Sequence, residues 1–177
     1  MRFLSSLALL LLAACGPSAE EGEQAAAPAP AAASQRASPA PTQTPDYSPP
    51  PLSPDAAKGE AGARNVLLSW ARAVEERAFA QAYALYGKDG PADGTSEADF
   101  AADFARYRTI TAEIGEGEVE GAAGSLYYAV PVELSGTLRD GSSYSRSGTI
   151  TLRRVNDVPG ALDWQLAWHI EKIEWDR

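Results

Sequence analysis

The chain has 177 residues, a formal net charge of −9, and a single cysteine and a single histidine. Acidity of that size argues against nucleic acid and against broad docking on anionic lipid, since both would repel the chain. One cysteine excludes an internal disulfide, and one histidine with no further thiol leaves no zinc site of three or four of the usual ligands.

Residues 1–3 carry Arg2 beside the amino terminus, and 4–12 are apolar apart from Ser5 and Ser6. That run is about half of the roughly 20 residues needed to cross a bilayer, so it reads as a targeting segment and stays out of fold reasoning. It ends on Leu12-Ala13-Ala14-Cys15, which resembles the lipobox of bacterial lipoproteins. The resemblance implies that residues 1–14 are a removed signal peptide, that Cys15 is the mature N-terminus, and that fatty acyl chains attach there. The competing reading is an ordinary signal peptide with an incidental cysteine. Each buried methylene contributes about 0.8 kcal/mol, so two or three chains would hold the protein stably on a membrane. In the lipoprotein pattern Gly16, in place of an aspartate, implies the periplasmic face of the outer membrane.

Residues 15–55 then read as anchor and linker. Between 16 and 55 lie ten of the thirteen prolines, one tyrosine (Tyr47), one leucine (Leu52), and no Trp, Phe, Ile or Val. Such a composition cannot bury enough apolar surface to offset ordering, and predicts a disordered or polyproline-like spacer reaching about 35 to 120 Å. Pro49-Pro50-Pro51 also has the composition of a docking ligand, but the spacer reading is the simpler one.

Residues 56–177 have globular composition and the length of one domain. Ala63, Val66, Leu67, Trp70, Ala71 and Val74 follow helical spacing and predict an amphipathic helix over about 59–77. Phe79, Ala82, Tyr83 and Tyr86 predict a second helix that Gly87 ends, and a turn-rich loop covers 88–95. Ser96-Glu97-Ala98-Asp99 has capping-box spacing and opens a third helix to about Arg108. Ile110, Ala112 and Ile114 then alternate, with Val119 out of phase beyond Gly115 and Gly117, the mark of a bulge. Leu126 to Leu134 carry an apolar face at every second residue, with Pro131 pointing away and predicting an open edge or a bulge. Asp140-Gly141 signals a hairpin into a strand bearing Ile150 and Leu152. A last strand is predicted from Trp164 through Leu166, Trp168 and Ile170, slipping phase at Ile173 and Trp175.

This order, with bulged strands and a tryptophan-rich final strand, resembles the NTF2-like (cystatin-like α+β) superfamily. The resemblance implies an α+β fold in which three N-terminal helices pack on a curved four-stranded antiparallel sheet that forms a cone. The alternative is a plainer two-layer sheet without a pocket. If the cone is open, Trp70, Tyr83, Tyr128 and Trp168 are the candidates to line it; the competing reading makes them core. Superfamily members that resemble ketosteroid isomerases or limonene-epoxide hydrolases need pocket carboxylates. Here Glu75, Glu76, Asp99, Asp103 and Glu133 fall on polar faces and Asp140, Asp157 and Asp163 in or beside turns.

The remaining signals are weak. His169, between Trp168 and Ile170, has the parity of the face opposite the core and reads as a surface or interface histidine. Asp89 to Gly94 begins like a calcium loop but has Pro91 at position three and Phe100 at position twelve. Gly115-x-Gly117 lacks the helix of a dinucleotide fingerprint. Arg153-Arg154 reads as a gatekeeper pair on a sheet edge. The sequence therefore predicts no catalytic residues, metal or cofactor. It predicts a lipid-anchored envelope protein whose domain is a non-catalytic interaction module, with a protein partner or small apolar ligand and a homodimer through the sheet as options. The alternative is a small-molecule binder or cofactor-free isomerase or hydrolase using the cone.

Overall fold

A computed structural model describes residues 44–177; the signal segment, Cys15 and the linker up to residue 43 lie outside them. Four helices precede the sheet: α1 (Pro54–Lys58), α2 (Glu60–Glu75), α3 (Phe79–Ala84) and α4 (Glu97–Ala105). The strands are β1 (Tyr107–Ile114), β2 (Glu118–Ala122), β3 (Ser125–Leu138), β4 (Ser143–Val155) and β5 (His169–Trp175). The expectation of three helices and four strands is thus short by one of each.

The extra helix, α1, is a single turn with Pro54 at its start and Ser53 ahead of it, too short to show a hydrophobic period. In α2 the predicted stripe is the buried one, and it includes Ala63, Leu67, Trp70 and Val74. Gly87 sits at φ 78°, the left-handed conformation that follows the end of α3. Ser96 Oγ accepts the Asp99 amide at 3.1 Å, as the capping spacing requires. Helix α4 stops at Ala105, earlier than predicted, because Tyr107 already pairs with Leu138.

The extra strand comes from a bulge. β1 pairs with β3 down to Ile114↔Val132, and β2 resumes at Glu118↔Ala129. Three residues, 115–117, therefore oppose the two residues Val130 and Pro131, which is the one-residue excess of a bulge. Both glycines are needed for the close approach. A Cβ on Gly117 would lie 2.3 Å from the Ala129 carbonyl oxygen, and one on Gly115 would lie 2.5 Å from Pro131 Cγ. Pro131, which has no amide to give, accepts from the Gly115 amide through its carbonyl at 2.9 Å. It is therefore at a bulge inside the sheet and not on an open edge.

The sheet order is β1-β3-β4-β5, all antiparallel, with β2 beside β3. Helix α2 packs against β1 and β5, the two ends of that order. A four-strand sheet spans about 14 Å between its edge strands, more than a helix of about 10 Å can bridge if the sheet is flat. The sheet accordingly curls around α2.

Two strand assignments change. β5 begins at His169, because the loop 156–168 folds on itself: Leu162 O accepts the amides of Gln165 and Leu166 at 2.9 and 3.1 Å. The alternation of Trp164, Leu166 and Trp168 mimicked a strand without being one. The later phase slip is real, since Leu152↔Ile170 and Thr151↔Lys172 leave Glu171 as an extra residue. Arg153-Arg154 lies on β4, flanked by β3 and β5, so it guards no edge.

The chain between 44 and 53 is not a free spacer. Gln81 Nε2 donates to Pro45 O at 3.0 Å, Tyr47 N donates to Gln81 Oε1 at 2.8 Å, and Asn65 Nδ2 donates to Pro50 O at 2.7 Å. Tyr47 packs on the core. Side chains of α2 and α3 supply the hydrogen bonds that a proline-rich strap cannot make internally.

Candidate functional site

The concave side of the sheet is a trough with α2 running along it, and its middle is solid. Trp70, Tyr128, Leu67, Leu134, Ile150, Leu152 and Ile170 are all fully buried against one another. Two of the four aromatic candidates, Trp70 and Tyr128, are thus components of this filling. Tyr128 Oη donates to Glu60 Oε1 at 3.3 Å, and Arg64 reaches the same hydroxyl at 3.4 Å. Tyr83 sits in an aromatic cluster with Tyr86 and Phe100 and donates to Thr95 O at 3.0 Å. Trp168 lines the groove at the Arg154 end of β4, while Trp70, Tyr83 and Tyr128 do not, so that groove is not a space common to the four.

Open space lies at the ends of the trough, and β4 marks both. Its core-facing row runs Tyr144, Arg146, Gly148, Ile150, Leu152, Arg154, with an arginine on either side of the Gly148–Leu152 stretch. Sequence reasoning passed over Arg146 and took Arg154 for an edge guard, although each stands in phase with the apolar residues of its strand. That parity was the available signal.

At the Arg146 end, a cavity of about 230 Å³ is lined by Tyr86, Phe100, Phe104 and Trp175, with Asp93, Asp103, Arg146 and Lys172 among the polar residues. Asp103 pairs with Arg106 at 3.0 Å and Arg146 at 3.1 Å, and the Arg146 guanidinium lies 4.1 Å from the Trp175 ring centroid. The Thr95 amide, bonded at 2.9 Å, holds the Asp93 carboxyl below its ordinary range. Burial, followed by the nearby Asp93 charge, pushes the Tyr86 hydroxyl up. An acid and a tyrosine therefore meet here, but the shifts run opposite to those a general acid and its partner need. The carboxyl is made more acidic and the phenol less so, and neither is poised near neutrality.

At the Arg154 end lies a groove of about 570 Å³. The strap residues Pro49, Pro50 and Leu52 form one wall, α1 and α2 the floor, and Leu166 and Trp168 of the loop the other wall. Arg154 is 4 % exposed; its Nε donates to Leu166 O at 3.0 Å and its guanidinium pairs with Asp157 at 2.6 Å. Lys58 of α1 also pairs with Asp157, and Trp168 Nε1 donates to Lys58 O at 3.2 Å. Hydrogen bonds from Lys58 and then Arg154 hold the Asp157 carboxyl below its ordinary range. The charges under the groove are thereby spent on one another, and its walls are mostly apolar.

No family model matches the sequence, and no curated protein matches it. Solved structures do match in shape. A nuclear transport factor 2 (NTF2-like) superfamily protein from Salmonella enterica superposes with a TM-score of 0.51 at 8 % identity, covering 70 % of this chain and 92 % of that one. A protein from Novosphingobium aromaticivorans described as a candidate aromatic ring hydroxylase gives 0.50 at 14 % identity, covering 71 % and 91 %.

The fold is NTF2-like. At these identities the likeness concerns architecture alone and assigns no chemistry to the NTF2-like domain. Among its described residues no group of three or more His, Asp or Glu side chains is placed to hold a metal ion. None of its described helices is long and apolar enough to cross a membrane.

His169, placed on the surface by parity, is 8 % exposed. Its parity is as expected, but the turn at Gly87 covers that face: a Cβ on Gly87 would lie 3.3 Å from the His169 ring. The outer edge of β5 is covered too, with the Ile170 amide donating to Leu85 O at 2.8 Å and the Ala92 amide to Glu171 O at 3.0 Å.

Proposed function

We propose that this chain is a lipid-anchored protein of the bacterial envelope, tethered through Cys15, whose NTF2-like domain acts by binding a protein partner in the groove at the Arg154 end. One observation carries the reading. Of the four large apolar side chains exposed among the described residues, Leu52 lines that groove, and Val158 and Leu162 sit on the 156–168 loop whose Leu166 and Trp168 form its other wall. Exposed apolar residues gathered at one place mark a contact surface more often than scattered ones do. An extended polypeptide segment needs cover on only one side, which the two walls and the floor of the groove supply.

The partner segment would be apolar, to match the walls, with a basic residue for the exposed Asp163 at the rim and for a chain of net charge −9. The filled trough speaks for binding over the isomerase or hydrolase alternative, as does the downward displacement of the carboxyl groups Asp93 and Asp157.

The test is site-specific photocrosslinking in intact cells, with a benzophenone amino acid at Leu52 or Leu162 and, as control, at Thr111 on the outer face of the sheet. A discrete adduct from the groove positions, lost with Leu166→Asp, is expected. Equal labelling from all three positions would refute the groove. Cys15→Ser should release the protein from the membrane fraction; retention would refute the anchor separately.

A further inference from the structure

Beneath the turn at Gly87, outside the trough, a third cavity of about 330 Å³ gathers His169, Glu171, Arg153, Trp164, Asp89 and Tyr86. His169 Nδ1 lies 3.1 Å from Ala167 O. That contact makes Nδ1 the donor in the neutral ring and leaves the Nε2 lone pair for the cavity. Nε2 is 3.9 Å from one oxygen of Glu171, and the other oxygen is 3.6 Å from the Arg153 guanidinium. Both gaps are longer than a hydrogen bond. The indole N–H of Trp164, whose ring centroid is 5.4 Å from that of His169, is buried without a partner.

The cavity therefore offers two acceptors without a hydrogen bond, Nε2 and the Glu171 carboxylate, the latter within ion-pair range of Arg153. Its fixed charges are one positive, Arg153, and two negative, Glu171 and Asp89. We propose that this cavity binds a small primary ammonium compound, for which ethanolamine is the probe. The ammonium donates to His169 Nε2 and Glu171, and the carbon chain lies against the Trp164 and Tyr86 rings that line the cavity. An anion would face Glu171 and Asp89, and a purely apolar ligand would leave His169 Nε2 and the Glu171 carboxylate unmatched. The site is independent of the groove, so either can fail alone.

His169 is the chain's only histidine, so its ring gives one assigned NMR signal without further work. The full chain is titrated with ethanolamine, and separately with acetate, at a pH where the ring is neutral. Ethanolamine should move the signal saturably with a Kd on the order of 1 mM or tighter, while acetate leaves it in place. Glu171→Gln should weaken binding at least tenfold and Arg146→Ala, at the far end of the trough, should not. Either no saturable shift or equal titration of Glu171→Gln would overturn the proposal.

Discussion

Gly62→Ala sets two ordinary effects against each other. Gly62 is the third residue of α2, where alanine is the better helix former by up to about 1 kcal/mol. Yet its added methyl would lie 2.1 Å from Ala57 O and 2.9 Å from Trp168 Cδ1. Carbon and oxygen need about 3.3 Å, so α1 would have to withdraw by about 1.2 Å. Overpacking of that kind costs about 1–3 kcal/mol, and the withdrawal stretches the Trp168 Nε1–Lys58 O bond of 3.2 Å, worth about 1 kcal/mol. The gain near a helix start is only a fraction of the propensity difference, so the net is a loss of about 2 kcal/mol. For a domain of this size that lowers Tm by about 8 °C. Thermal unfolding followed by circular dichroism measures it, with tryptophan fluorescence reporting Trp168. A variant as stable as the wild type, with an unchanged spectrum, would refute the claim that α1 is clamped on Gly62 and with it the geometry of the groove floor.

Two further predictions concern titration. Tyr144, stacked on Tyr107 at 4.2 Å, is pushed up to about 12 by burial and then by Tyr107, and Tyr86 is pushed up by burial. A phenol whose folded pKa is raised contributes stability that is full below its ordinary value of 10.0 and is lost as pH climbs toward its folded value. The urea midpoint should fall over that window, and less steeply in Tyr144→Phe; an absorbance titration in which every tyrosine ionises near its ordinary value would contradict both burials. Asp157 behaves in the opposite sense, since its lowered carboxyl contributes stability above 3.8 that is lost as pH falls through the folded value. Lys58→Met should bring it back toward the ordinary value and flatten the acid limb, and an unchanged limb would mean the ion cluster under the groove does not form in solution.

Much of the fold could be read from spacing because burial enforces a period. The α2 stripe, the Ser96 cap, the Gly87 stop and both strand bulges each follow from residues within one or two turns of one another. What escaped was set by contacts distant in sequence. The strap looked like a spacer because its apolar content is low, but its order comes from Gln81 and Asn65 on helices that its own composition says nothing about. His169 was judged by strand parity, which fixes a face but not whether another segment lies over it; the Gly87 turn does. The four aromatic candidates were chosen for facing inward, and a narrow trough filled by α2 turns inward-facing aromatic residues into core. Arg154 went the other way: judged an edge guard for its neighbour's sake, it has a carbonyl and a carboxylate waiting for it inside.

The strap also decides how the domain would feel a load. A pull at Thr44 is borne first by the strap's hydrogen bonds to Gln81 and Asn65, which lie at successive points along it and would break in turn, as in unzipping. The residues released in that order, Pro49, Pro50 and Leu52, are the groove's own wall. The long ladder between β3 and β4, thirteen residue pairs from Ser125↔Val155 to Thr137↔Ser143, lies beyond them and would be untouched at that stage. Tension applied at Thr44 would thus dismantle the groove while leaving the sheet intact, so that the strap would act as the domain's mechanical fuse.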